Sequence, residues 1–132
     1  MRKLFVTDEI ALKLQELGFD EDCIVGMSSL GIMNHKIASG NNGCFVSWMK
    51  KYDTDLPLPL WQQVIDWLRE TRGVHIFIFR TYADANCAFF GYQVDDMHNN
   101  KRIERMNYGL TYIQAREQAV LKAIEIAKSM QQ

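Results

Sequence analysis

A single α+β domain, with a mainly antiparallel sheet of about four strands packed by three helices, is predicted by three features of this 132-residue chain. Apolar residues recur at helical spacing near 8–17, 59–72 and 112–128, and the stretch 74–94 alternates with the two-residue period of a strand pair. Glycine- and asparagine-rich clusters punctuate the remainder. The length suits one domain spanning 1–132, able to bury roughly two thirds of the surface its unfolded form exposes. No repeat, low-complexity tract or linker divides it.

The first helix starts at Thr7, Asp8 and Glu9, where the hydroxyl accepts an orphan backbone N–H and the carboxylates face the positive end of the helix dipole. Ile10, Leu14 and Leu17 make its buried stripe; Gly18 is the left-handed stop, with Phe19 covering it. "CIVGM" at 23–27 and "CFVSW" at 44–48 read as two strands of a hairpin, loosely connected through the turn-forming "SGNNG" at 39–43. "KKYDTDLPLP" at 50–59 is a polar loop, and Pro59 suits the first turn of the next helix, where a missing N–H costs nothing. In "LWQQVIDWLRETRG", Trp61, Val64, Ile65 and Leu68 line one face, Leu60 and Trp67 widen it, and Gly73 ends the helix.

From 74 to 82, Val74, Ile76 and Ile78 point one way while His75, Phe77 and Phe79 point the other. "ADAN" at 83–86 is a short turn, and "CAFFGYQV" at 87–94 returns as the partner strand. In one register His75, Phe77 and Phe79 stand opposite Tyr92, Phe90 and Ala88; a one-residue slip brings Phe89 and Gly91 there instead. "DDMHNNKRIERMNYG" at 95–109 is polar and turn-rich, with room for a short irregular strand. Thr111 and Gln114 form a capping box for the last helix, whose inner stripe is Ile113, Val120, Ile124 and Ala127, with Ala119 and Ala123 allowing close approach to a sheet.

Composition narrows the function classes. The 48% hydrophobic and 23% charged shares are those of an ordinary globular domain. A net charge of −1 lacks the cationic excess of a protein that neutralises many phosphates, so nucleic acid is disfavoured as a partner. The least charged stretch, Cys23 to Lys36, is broken by Gly26, Ser28, Ser29, Gly31 and Asn34, which argues against a membrane span. The "MRKLFVTDEI" start is too short in its apolar run for a signal peptide, which places the expected location in the cytoplasm. Cys23, Cys44 and Cys87 are odd in number and lack CxxC spacing, so buried thiols are expected rather than disulfides or a zinc site.

His75 has no carboxylate, Ser or Cys at a spacing that defines a catalytic constellation, and a histidine packed on a sheet face is the expected role. Asp95, Asp96 and His98 are metal-ligating types, but their spacing matches neither a helical His pair nor a calcium loop. No catalytic residue, metal or cofactor is expected. The hairpin is apolar on both faces, whereas helices on one side leave little chain to cover the other. That predicts a binding face of His75, Phe77, Phe79, Phe90 and Tyr92, covered by a protein partner or a second copy of the chain. The rival is a small-molecule or nucleotide binder, with or without enzymatic activity, using His75, Tyr92, Asp95 and His98. A third reading puts nucleic acid on Lys101, Arg102 and Arg105.

"LPLWQQVIDWLRETRGVHIFIF" and "YGLTYIQAREQAVLKAIEIAK" resemble a family of small uncharacterised proteins encoded by phages and prophages of Bacteroides-type gut bacteria. In that family a "QVIDWLRE" helix leads into an "HI-I" strand and a "SYEEA" helix closes the chain; "ELGFDEDC" is similar to the family's opening. "TYIQAREQAV" stands where acidic residues are usual, and "SLGIMNHKIASGNNG" has no counterpart. The resemblance implies a phage or prophage origin and a place in the bacterial host's cytoplasm. It assigns no catalytic residue.

Overall fold

The computed structural model describes residues 2–21, 23, 25–27, 33–40, 43–47, 56–84 and 87–130. The chain is α+β, as its periodicities predict. Its residues group into two compact units, Met1–Gln63 and Val64–Gln132.

In the first unit a single 3-10 turn at Arg2–Leu4 precedes an extended segment in which Phe5 bridges Leu60 and the Val6 N–H donates to the Pro59 carbonyl at 3.0 Å. Helix α1 (Asp8–Leu17) begins as expected, with Thr7 Oγ1 accepting from the Ile10 N–H at 3.3 Å. It stops at Gly18, whose φ of 100° is the left-handed conformation that a residue without a Cβ adopts cheaply. The Phe19 N–H then closes onto the Leu14 carbonyl at 2.9 Å. Ile10, Ala11, Leu14 and Leu17 are buried, the stripe the sequence laid out with Ala11 added.

Four strands follow, β1 (Val25–Met27), β2 (Met33–Gly40), β3 (Gly43–Ser47) and β4 (Leu56–Leu58), in the antiparallel order β3-β2-β1-β4. The expected hairpin between 23–27 and 44–48 is thereby corrected. Strand β2 lies between them, pairing Val25 with His35 on one side and Val46 with Ile37 on the other. Its "MNHKIASG" sequence has little β-branched content to announce a strand. Gly40 pairs with Gly43, in line with a turn in "SGNNG", although Asn41 and Asn42 lie outside the described residues, as do most of the 50–59 loop and Trp48. Cys23 is buried, its thiol donating to the Glu21 carbonyl at 3.6 Å; the side chains of Cys44 and Cys87 lie outside the described set.

Helix α2 (Trp61–Arg72) starts two residues later than the 59–72 reading. Pro59 stays extended because its carbonyl is held by Val6, and Gln63 Oε1 reaches back to the Leu60 N–H at 3.3 Å to cap the first turn. Trp61, Val64, Trp67 and Leu68 are buried and Ile65 is half-buried, so both tryptophans belong to the core.

The second unit holds a three-stranded antiparallel sheet, β5 (Val74–Asp84), β6 (Cys87–Asp96) and β7 (Lys101–Leu110), in that order, and then α3 (Tyr112–Met130). In the polar segment 95–109, residues 97–100 form the expected turn, and β7 is a full ten-residue strand with register shifts where a short irregular one is expected. Helix α3 opens with the predicted capping box: the Thr111 N–H donates to Gln114 Oε1 at 3.0 Å and the Gln114 N–H to Thr111 Oγ1 at 3.2 Å. It packs on β5, β6 and β7. Ala115, Ala119, Val120, Ala123, Ile124, Ile126 and Ala127 are buried, and the small residues bring the helix close to the sheet. Ile113, expected in this stripe, is exposed in the first turn. No helix of the described residues is long and apolar enough to cross a membrane.

Candidate functional site

The hairpin register decides which side chains share a face. His75 pairs with Asp95, Phe77 with Gln93 and Phe79 with Gly91, while Ile76 pairs with Val94 and Ile78 with Tyr92. Odd-numbered residues on both strands therefore share one side. Val74, Ile76, Tyr92 and Val94 are buried on the face that α3 covers. His75, Phe77, Phe79, Gln93 and Asp95 stand on the outer face.

Of the five residues expected to form one aromatic surface, the structure thus brings together His75, Phe77 and Phe79, and places Phe90 and Tyr92 on the other side. The register corrects both expected pairings, since His75 lies opposite Asp95 rather than Tyr92, a shift of three residues; it agrees with the one-residue slip only in bringing the odd-numbered residues Phe89 and Gly91 to the His75 side. Phe90 packs edge-on against Tyr112 of α3, with ring centroids 5.4 Å apart. Tyr92 donates its hydroxyl to Glu104 Oε2 at 3.0 Å.

Burial and the Glu104 carboxylate push the Tyr92 phenol from its ordinary 10 up to about 12. A raised phenol favours its neutral form in the fold, so this contribution is fully present below about pH 10 and fades as pH climbs towards about 12. Following phenolate absorbance should reveal a tyrosine step near pH 12, and Tyr92→Phe should remove it.

The outer face is built in columns. On β5, His75 and Phe77 lean together with ring centroids 4.2 Å apart, and Phe77 is 47% exposed in the middle of a strand. On β6, Gln93 donates Nε2 to both Asp95 oxygens, at 2.9 and 3.0 Å. On β7, Arg105 Nη1 donates to Gln93 Oε1 at 3.2 Å while its guanidinium lies 4.9 Å from the Phe79 ring centre. Gly91 lies between Phe79 and the arginine strand and presents no side chain to block that reach.

A bulge changes what faces Asp95. Val94 pairs with Glu104, but Asp95 pairs with Arg102, so Ile103 is the extra residue and Arg102 takes the place it would have held. The result is a cleft of about 580 Å³ at the hairpin end, lined by His75, Phe77, Gln93, Asp95, Lys101 and Arg102 among others. From sequence the candidate lining residues fall into three separate groups, His75 with Phe77, His75 with Asp95, and Lys101 with Arg102; the bulge that brings Arg102 opposite Asp95 leaves no periodic signal.

His98, grouped with His75 and Asp95 in the rival reading, belongs elsewhere. It lies over Gly73 at the end of α2, in a separate depression with Thr71, Arg72, Asp96, Asn99 and Met130. Asp96 organises that turn: Oδ1 accepts the His98 and Asn99 N–H groups at 3.0 and 3.4 Å, and Oδ2 accepts Asn99 Nδ2 at 2.6 Å. The Asn99 side chain first, and then the backbone N–H groups, hold the Asp96 carboxyl below its ordinary range. Among the described residues no group of three or more His, Cys, Asp or Glu is placed to hold a metal ion.

Comparison with protein-family models, curated proteins and solved structures found no match.

Proposed function

We propose that the chain is a non-enzymatic protein-binding or accessory module, and that its working surface is the outer face of β5, β6 and β7, covered by a second copy of the chain. The observation that carries this reading is Phe77, a large apolar ring 47% exposed at the centre of a regular strand. Such a ring contributes little to the fold and leaves apolar area to be removed from water by a partner.

The columns favour a second copy. Aromatic β5 and arginine-bearing β7 are the two edges of the sheet, with β6 between them. A two-fold axis running along the strands sets the aromatic column of each copy over the arginine column of the other, the self-complementarity that an isologous contact requires. The resemblance of the 58–79 and 108–128 segments to phage and prophage proteins supports an accessory role in a bacterial host's cytoplasm.

Light scattering over a concentration series tests this. The wild-type chain is expected to approach twice its 15.4 kDa mass, and Phe77→Glu to weaken association by at least about thirtyfold, as loss of a central aromatic anchor does. A wild-type mass fixed at 15.4 kDa at every concentration contradicts the second copy as occupant.

A further inference from the structure

We propose that the cleft at the hairpin end of the outer face binds a guanine nucleoside monophosphate, with the base on Phe77, its Watson–Crick edge on Asp95 and its phosphate on Lys101 and Arg102. This goes beyond the protein-contact reading: base and second copy would occupy the same exposed Phe77 ring, so GMP binds the dissociated chain and competes with self-association.

Size and composition point to one small, flat anion. The cleft holds about 580 Å³, within the range of small-ligand sites, and combines one apolar surface with a few convergent polar groups. Of the three rings that β5 sets on the outer face, Phe79 lies under the Arg105 guanidinium and His75 leans on Phe77. Phe77 is the ring with nearly half its surface open, so the face offers a stacking platform for one base rather than a run of them.

Asp95 supplies the discrimination. The chain of bonds from Arg105 through Gln93 fixes its carboxylate, and an ionised carboxylate retains lone pairs after accepting one amide nitrogen. Two acceptor oxygens match the adjacent N–H donors of a guanine edge, whereas adenine sets a ring-nitrogen acceptor beside its amino group. The other carboxylate of the cleft, Asp96, is turned into its own loop by His98 and Asn99. Arg102 and Lys101 are exposed cations, and Arg102 reaches the cleft only because the bulge at Ile103 shifts it opposite Asp95. A bulge that re-aims a charged side chain beside a pocket is a common device of ligand sites. Guanidinium and ammonium groups suit a phosphate.

Equilibrium dialysis of the full chain against GMP, AMP, guanosine and inorganic phosphate, with light scattering run alongside, tests the assignment. GMP is expected to be retained most strongly, about tenfold over AMP, as a bidentate base contact provides. Lys101→Gln with Arg102→Gln should weaken GMP by about tenfold and leave guanosine unchanged. Asp95→Asn should abolish the preference for GMP over AMP, with circular dichroism confirming an unchanged fold. The proposal is overturned if the wild-type chain does not retain GMP beyond the phosphate control, if AMP binds equally, or if the double variant binds GMP as well as the wild type. A dimer that ignores GMP removes the cleft assignment alone; a chain that retains GMP but is monomeric at every concentration in the absence of GMP removes the second-copy reading alone.

Discussion

Replacing Gly73 with alanine is expected to destabilise the second unit by about 2 kcal/mol or more, from two separable causes. Gly73 sits at φ 66°, where a side chain is strained. A Cβ there also meets the His98 imidazole, with Cδ2 at 2.6 Å. The position is held from both sides: the Gly73 N–H donates to Arg69 at 3.2 Å and its carbonyl accepts the Met97 N–H at 2.8 Å. The backbone therefore cannot relax away without opening the contact between the end of α2 and the turn after β6. Denaturant unfolding of Gly73→Ala, His98→Ala and the double variant separates the causes. In the His98→Ala background the glycine substitution should cost only the backbone part, about 1 kcal/mol. Equal costs in both backgrounds would show that the imidazole does not pack there.

The second large effect is a contrast between the two faces of one sheet. Ile124 is 1% exposed on the helix face, and Ile124→Ala should cost about 3 kcal/mol, the transfer and cavity terms of a buried aliphatic side chain. Phe77→Ala removes a larger ring yet should cost under about 1 kcal/mol, because much of that ring is already in water. Denaturation midpoints of the two variants, read at concentrations where the wild-type chain is monomeric, give the comparison directly. A Phe77→Ala cost as large as that of Ile124→Ala would mean the outer ring is part of the core.

Locally encoded features were readable from the sequence. The Thr7 cap and Gly18 stop of α1, the Thr111–Gln114 box of α3 and the alternation of β5 all depend on residues within a few positions of one another. Strands β2 and β7 escaped because their sequences do not look like buried strands. One is rich in small and polar residues; the other carries Lys101, Arg102, Glu104 and Arg105 along a solvent-facing sheet edge, where charge is tolerated.

The candidate site was half legible for the same reason. Alternation set His75, Phe77 and Phe79 on one face, but their cross-strand partners depend on the turn and on a register shift between Tyr82 and Asp84 that no alternating pattern records. That shift decides whether Tyr92 joins the aromatic column or is buried beneath α3. The second shift, at Ile103, likewise puts Arg102 into the cleft.

The claim that the outer face is the working surface is tested most directly by a dilution series of amide NMR spectra. Concentration-dependent shifts should be confined to the outer column positions around His75, Phe77, Phe79, Gln93, Asp95, Arg102 and Arg105, and should vanish in Phe77→Glu. Shifts clustered elsewhere on the chain, or spectra that do not change with concentration, would contradict it.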